Sequence, residues 1–309
     1  MIVNTGMRTD IPAFFSAWFL NRIREGYVLV RNPYNPAQVT KYLLTPDKVD
    51  ILAFCTKNPA PMLPYMDELK AFRQFWFVTI TPYGKDIEPY VPDKHEVLDS
   101  FKRLSQIVGK RAVSWRYDPI FISQKYSLDY HKRAFEKMAK ELCGYTEQVV
   151  ISFIDLYSKT RRNFPQAREV APEERAQIGR YFAEIGRRYG ITVRSCVEGT
   201  ELAEYGVDVG GCMTKEVLEN AAGIRLNPPK KPNARQECSC LLGNDIGAYN
   251  TCPHACRYCY ANYDRQAVTE NLRRHDPQSP LLIGELQEGD TVRLADQYSY
   301  IDNQLMLDL

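Results

Sequence analysis

Cys252, Cys256 and Cys259 are spaced C-x3-C-x2-C within Asn250-Thr251-Cys252-Pro253-His254-Ala255-Cys256-Arg257-Tyr258-Cys259-Tyr260. Three thiols so close together in a tight loop can converge on one centre. Three thiolates hold three corners of a four-iron cluster and leave one iron for another ligand, whereas a purely electron-carrying cluster usually takes four. Four more cysteines lie in the C-terminal half: Cys196, Cys212, Cys238 and Cys240. Seven divides into three plus four, so this second group could complete the ligand set of a second four-iron cluster. Four thiolates also suit a structural zinc ion, but the C-x2-C knuckle usual in such sites occurs only at Cys256 and Cys259. Cys55, in an apolar run, and Cys143, after a helix-like stretch, have no partner at ligand spacing and read as small apolar residues. His254 reads as a polar loop residue, and His95, His131 and His275 as surface histidines.

With Tyr258 just before its last cysteine, the motif resembles the signature of the radical S-adenosylmethionine (SAM) enzymes. That resemblance implies a [4Fe-4S] cluster on Cys252, Cys256 and Cys259, whose open iron chelates SAM and whose reduced form cleaves it to a 5′-deoxyadenosyl radical. It also implies a reducing electron donor such as flavodoxin or ferredoxin. Auxiliary clusters are common in that superfamily, in keeping with a second [4Fe-4S] cluster on the other four cysteines. The motif lies near the C-terminus, whereas in most of these enzymes it follows the first strand. Together with D-I-G-A-Y-N-T at 245–251, R-T-D-I-P-A-F at 8–14, T-K-N-P at 56–59 and W-R-Y-D-P-I at 115–120, it resembles the domain of unknown function 1848 family over nearly the whole chain. Met7 departs from that pattern, which places an arginine there.

The cysteines must be carried by a framework, and the sequence alternates strand-like and helix-like segments throughout. Strand patterns at 2–5, 49–55, 75–81, 112–119, 148–155 and 191–196 are separated by helical periodicity near 14–23, 62–72, 95–108, 130–142, 172–189 and 215–222, with no hairpin signal. A last strand falls at Leu241-Leu242 or within Asp245–Tyr249. Long connections of this kind argue for a parallel α/β sheet closed or nearly closed into a (β/α) barrel, full or partial, of about six or seven units. A late cysteine loop then fits a circularly permuted radical SAM-type barrel, with the last strand beside the first. Reactive groups in such barrels sit at the C-terminal ends of strands. Those ends carry Arg8 and Asp10, then Thr56, Lys57 and Asn58, then Thr79, Thr81 and Tyr83, then Arg116 and Asp118, then Asp155, then Cys196 and Glu198. Arg116 and Asp118 alternate with Trp115 and Tyr117, so both point to one face of their strand. We take Arg8, Asp10, Lys57, Asn58, Thr81, Arg116, Asp118 and Tyr258 as candidate cofactor-binding residues; no catalytic residue is assigned.

At 309 residues and 44% hydrophobic, the chain is long enough for one large core. We expect one structural domain: β/α units over 1–237, the last strand and cluster loop over 238–265, and a C-terminal extension over 266–309. Forty basic and 38 acidic residues leave a charge of +2, which gives no global field for nucleic acid or membrane. A small-molecule substrate is therefore expected. The basic connector with Arg225, Lys230, Lys231 and Arg235 reads as solvated rather than as a nucleic-acid site. Met1–Thr5 reads as a strand, no apolar run is of membrane-spanning length, and nine cysteines suit a reducing compartment, so a cytoplasmic location is expected. The alternatives to a radical enzyme are a non-enzymatic iron-sulfur protein for electron transfer or redox sensing, and a structural zinc protein.

Overall fold

A computed structural model describes residues 1–229, 238–241 and 243–302. In chain order the elements are β1 (Ile2–Asn4), α1 (Ile11–Phe14), α2 (Ser16–Glu25), β2 (Tyr27–Arg31), β3 (Gln38–Leu43), β4 (Ile51–Thr56), β5 (Gln74–Thr79), α3 (Lys94–Val108), β6 (Val113–Ile120), α4 (Leu128–Leu142), β7 (Gln148–Phe153), α5 (Ser158–Asn163), α6 (Pro172–Tyr189), β8 (Thr192–Ser195), α7 (Lys215–Ala222), β9 (Asn244–Asp245), α8 (Arg265–Arg273) and β10 (Thr291–Leu294). Side chains cap several helix starts: Asp93 on α3, Ser127 on α4 and Thr214 on α7.

Seven strands form one sheet in the order β8-β7-β6-β5-β4-β1-β9, and every pairing in it is parallel. The last strand lies beside the first, with Val3 opposite Asn244 and Asn4 opposite Asp245. This is the neighbour relation expected of a sheet whose cysteine-bearing strand comes late in sequence. Alternation divides the sheet into two faces. Leu52, Phe54, Trp76, Val78, Trp115, Tyr117, Val149 and Ile151 join the larger core with α2, α3, α4 and α6. Ile2, Ile51, Ala53, Phe75, Phe77 and Val150 face the other way, against Val217 and Leu218 of α7 and against Cys212, Met213 and Cys240.

Three local expectations are corrected. The segment read as an ordinary helix near 62–72 is a 3-10 run, Ala60–Leu69, because Pro61 and Pro64 have no N–H for the α-helical ladder. A hairpin is present although no signal marked it: β2 pairs antiparallel with β3 across the turn-rich 32–37, and β10 of the C-terminal extension adds parallel to β3. The extension thus builds a three-stranded side sheet, fastened by Arg31 to Asp290 at 2.6 Å. Leu242, one option for the last strand, lies outside the described residues, as do Lys230, Lys231, Arg235 and 303–309.

His131, read as a surface residue, is fully buried. Its ring nitrogens lie 2.8 Å from the Tyr117 hydroxyl and 2.9 Å from the Phe121 carbonyl. Burial pushes its pKa down to about 4 against the opposing pull of that carbonyl. Unfolded histidine titrates near 6.5, so between about pH 6.5 and 4 the unfolded chain binds the extra proton. Stability should therefore fall as the pH falls through that window, by about 3 kcal/mol in all. Denaturant unfolding at several pH values should show this slope in the wild type and a flatter one in His131→Gln. Equal slopes in the two proteins would exclude His131 as the cause.

Candidate functional site

The loop from Thr251 to Asn262 carries the C-x3-C-x2-C motif and packs over the C-terminal ends of β1 and β4. Cys252, Cys256 and Cys259 line one cavity of about 130 Å³, with Asp10, Cys55, Lys57, Thr79, His254 and Tyr258 on its walls. The loop holds its shape through its own polar groups. The Asn262 side-chain amide donates to the Cys252 carbonyl, the Cys259 N–H to the Cys256 carbonyl at 3.1 Å, and the Arg257 N–H to the Ile87 carbonyl at 3.0 Å. Gly6 is required beneath it, because a Cβ there would stand 2.2 Å from the Cys55 carbonyl oxygen. On the loop's other side Cys252 and Cys256 also line a cavity of about 440 Å³, bounded by Asn163, Arg257, Arg265 and Leu272.

A carboxylate that sequence reasoning missed organises the wall. Glu88 is 1% exposed, yet accepts from Lys57 Nζ at 2.7 Å, from Thr81 Oγ1 at 2.7 Å, from Lys94 and from the Tyr258 hydroxyl. Burial alone would raise its pKa, but Lys57 and Lys94 outweigh this and hold it down to about 2. No sequence signal marked it, since an acidic residue in the Tyr83–Tyr90 loop reads as solvated. Asp10 is a second hub: it caps α1 by accepting from the Ala13 N–H, accepts from the Lys57 N–H at 2.8 Å and lies 3.1 Å from His254 Nε2. His254 is therefore buried and structural to the site, not a free loop histidine.

Of the candidate cofactor-binding residues, Asp10, Lys57 and Tyr258 line the cysteine cavity. Thr81 is joined to it through Glu88. The Tyr258 ring lies 5.4 Å below Lys57 Nζ. Arg116 and Asp118 form an ion pair on the face of β6 that also bears Ser114, and Asp118 accepts from Ser152; the Arg116 guanidinium lies over the Phe77 ring and within electrostatic reach of Cys55, Cys212 and Cys196. Arg8 and Asn58 are not brought into the cavity. Arg8 pairs with Asp245 and lines a separate cavity with Tyr249. The Asn58 side chain accepts from the Ala60 N–H and closes the turn that follows β4.

Burial raises all three motif thiols. Thiols held neutral in this way bind a metal only with release of protons. Cys259 adds to the upward shift of both Cys252 and Cys256, after the larger effect of burial. Burial likewise raises the Cys55 thiol, with Arg116 opposing it. The residues present fit a thiolate-bound group: three sulfurs around one cavity, a lysine beside Cys256, and Thr9 on the same wall with a buried hydroxyl that has no hydrogen-bond partner among the described residues.

The second cysteine group is partly assembled. The sulfurs of Cys196, Cys212 and Cys240 all lie within 4.8 Å of one another, a set that could hold a metal. Cys238 packs against the same apolar cluster but is outside that set. Sulfur hydrogen bonds from Cys196 and Cys212, with the Met213 N–H at 3.3 Å, favour the thiolate on Cys240. Two residues after Cys196, burial lifts Glu198 to about 8 although the Phe153 N–H and Arg175 oppose it.

No helix among the described residues is long and apolar enough to cross a membrane. A comparison with curated proteins gives no match. Residues 2–261 match the family described as Domain of unknown function (DUF1848), and the chain belongs to that family.

Proposed function

We propose that this protein is a radical SAM enzyme acting on a small or medium-sized substrate, with a [4Fe-4S] cluster held by Cys252, Cys256 and Cys259. When bound, cluster and SAM supply a 5′-deoxyadenosyl radical for hydrogen abstraction, with the electron delivered by a donor such as flavodoxin or ferredoxin. The observation that carries the reading is the convergence of the three motif thiols on one cavity with a polar wall.

The chain's own residues have definable parts in this reading. Lys57 places positive charge beside Cys256 and so favours bound thiolate over thiol. Glu88 fixes Lys57 and Tyr258 in place by accepting from both. Asp10 and His254 tie the loop after β1 to the cysteine loop. Arg116 and Asp118, an ion pair about 20% exposed, are positioned to receive a polar substrate group. Glu198 Oε can carry a proton at neutral pH. The row of seven parallel strands is, on this proposal, the arc of a partial (β/α) barrel permuted so that its cluster-bearing strand comes last.

The test is the electron paramagnetic resonance spectrum of the reduced, anaerobically reconstituted protein with and without SAM. SAM chelating an open iron must change the spectrum. An unchanged spectrum would overturn the enzyme reading and favour a non-enzymatic electron carrier.

A further inference from the structure

The two cysteine groups differ in spacing, and spacing discriminates between kinds of metal centre. Cys196 follows β8, Cys212 precedes α7, and Cys240 precedes β9. Their sulfurs gather within 4.8 Å, with Cys212 Sγ and Cys240 Sγ 3.4 Å apart. Among the described residues, Cys252, Cys256 and Cys259 do not form so tight a set. Each cysteine on a four-iron cluster binds a different iron at a different corner of the cube, so the body of the cube holds the sulfurs apart. Around one tetrahedral zinc ion every zinc–sulfur bond is about 2.3 Å, which places neighbouring sulfurs about 3.8 Å apart. The spacing of the tight group matches the second geometry.

We propose that Cys196, Cys212 and Cys240 hold a single soft divalent ion of the zinc type, and not a second iron-sulfur cluster. The surroundings suit an ion held by three protein thiolates, with the fourth corner of the tetrahedron taken by a further ligand such as water. Cys212 and Cys240 are buried in the apolar cluster made by Met213, Val217, Leu218 and the inner face of β4 and β5. Three thiolates on a divalent ion leave one negative charge, and the Arg116 guanidinium lies within reach of Cys212 and Cys196 to offset it. The backbone is built for close approach: Gly211 has φ +110°, and a Cβ there would lie 2.5 Å from Ser239 Oγ and 3.7 Å from Cys240 Sγ. The Leu241 N–H donates to the Met213 carbonyl at 2.8 Å, holding the same two segments together. The ion would fasten the end of β8, the entry to α7 and the entry to β9, and so anchor the strand from which the motif loop departs.

The proposal goes beyond the radical SAM reading, and its test reads zinc separately from iron. Metal and acid-labile sulfide are measured on the full chain, purified without oxygen and passed through a chelator wash. About one zinc per chain is expected, falling to near zero in Cys212→Ser, while iron at the other group stays at about four. Cobalt(II) in place of zinc should give the intense visible bands of a tetrahedral thiolate site. About eight irons per chain with no zinc would overturn the proposal, as would a wild-type protein that keeps no zinc through the wash. Because these counts are made on the wild type, they decide the matter even if Cys212→Ser fails to fold. A zinc-loaded protein with no iron would leave this inference standing and remove the radical SAM reading.

Discussion

Cys256→Ser is expected to lose the iron of the motif site, from about four per chain to near zero, and with it SAM cleavage by at least about 10³-fold, since the cofactor supplies the chemistry. Cys55→Ala is the informative control, because Cys55 lines the same cavity. If Cys55 were a fourth ligand, the cluster would have no open iron and the protein would be an electron carrier. Cys55 stands on β4, whereas Cys252, Cys256 and Cys259 share one loop at C-x3-C-x2-C spacing, which alone supplies a three-thiolate set. Iron should therefore be retained in Cys55→Ala. Loss of iron in that variant, or a full iron count in Cys256→Ser, would contradict the three-thiolate assignment.

The second large effect concerns stability. Glu88→Gln removes the counter-charge of Lys57, 13% exposed, and of Lys94, 25% exposed. Breaking a buried pair from one side leaves an uncompensated charge and costs about 3–5 kcal/mol. We expect the low end, because Lys94 can turn its ammonium to water. Glu68→Gln, which breaks the exposed pair with Arg24, should cost far less, since water screens that pair. Adding Lys57→Met to Glu88→Gln should recover part of the loss. The acid response follows the same logic: a carboxylate held at about 2 in the folded state, against 4.5 as its ordinary value, stabilises the fold above about pH 4.5. That contribution fades between about 4.5 and 2 and should be missing from Glu88→Gln. Denaturant unfolding measures all of these; a cost below about 1 kcal/mol for Glu88→Gln would mean that the buried carboxylate does not organise the wall.

Local pattern carried the framework. Short apolar runs marked β4, β5, β6 and β7, and helical spacing placed α6 at Pro172–Tyr189 and α7 at Lys215–Ala222, since burial on a regular element repeats with its geometry. The C-x3-C-x2-C spacing is itself local, so the motif thiols could be grouped without a fold, and strand parity put Arg116 and Asp118 on one face. What the sequence could not disclose is which distant groups meet. Tyr258 reaches Glu88 across 170 residues and Arg31 reaches Asp290 across 259, and no periodicity records such partners. The hairpin of β2 and β3 escaped because Arg31–Pro36 carries no short turn signature, and His131 escaped because the residues that bury it come from other elements. Arg8 looked like a mouth residue until Asp245, its partner on β9, took its guanidinium. The sequence likewise counted seven cysteines as three plus four, with zinc as a competitor, but could not say which sulfurs meet. Only the tertiary packing of α7 against the sheet brings Cys196, Cys212 and Cys240 within 4.8 Å of one another.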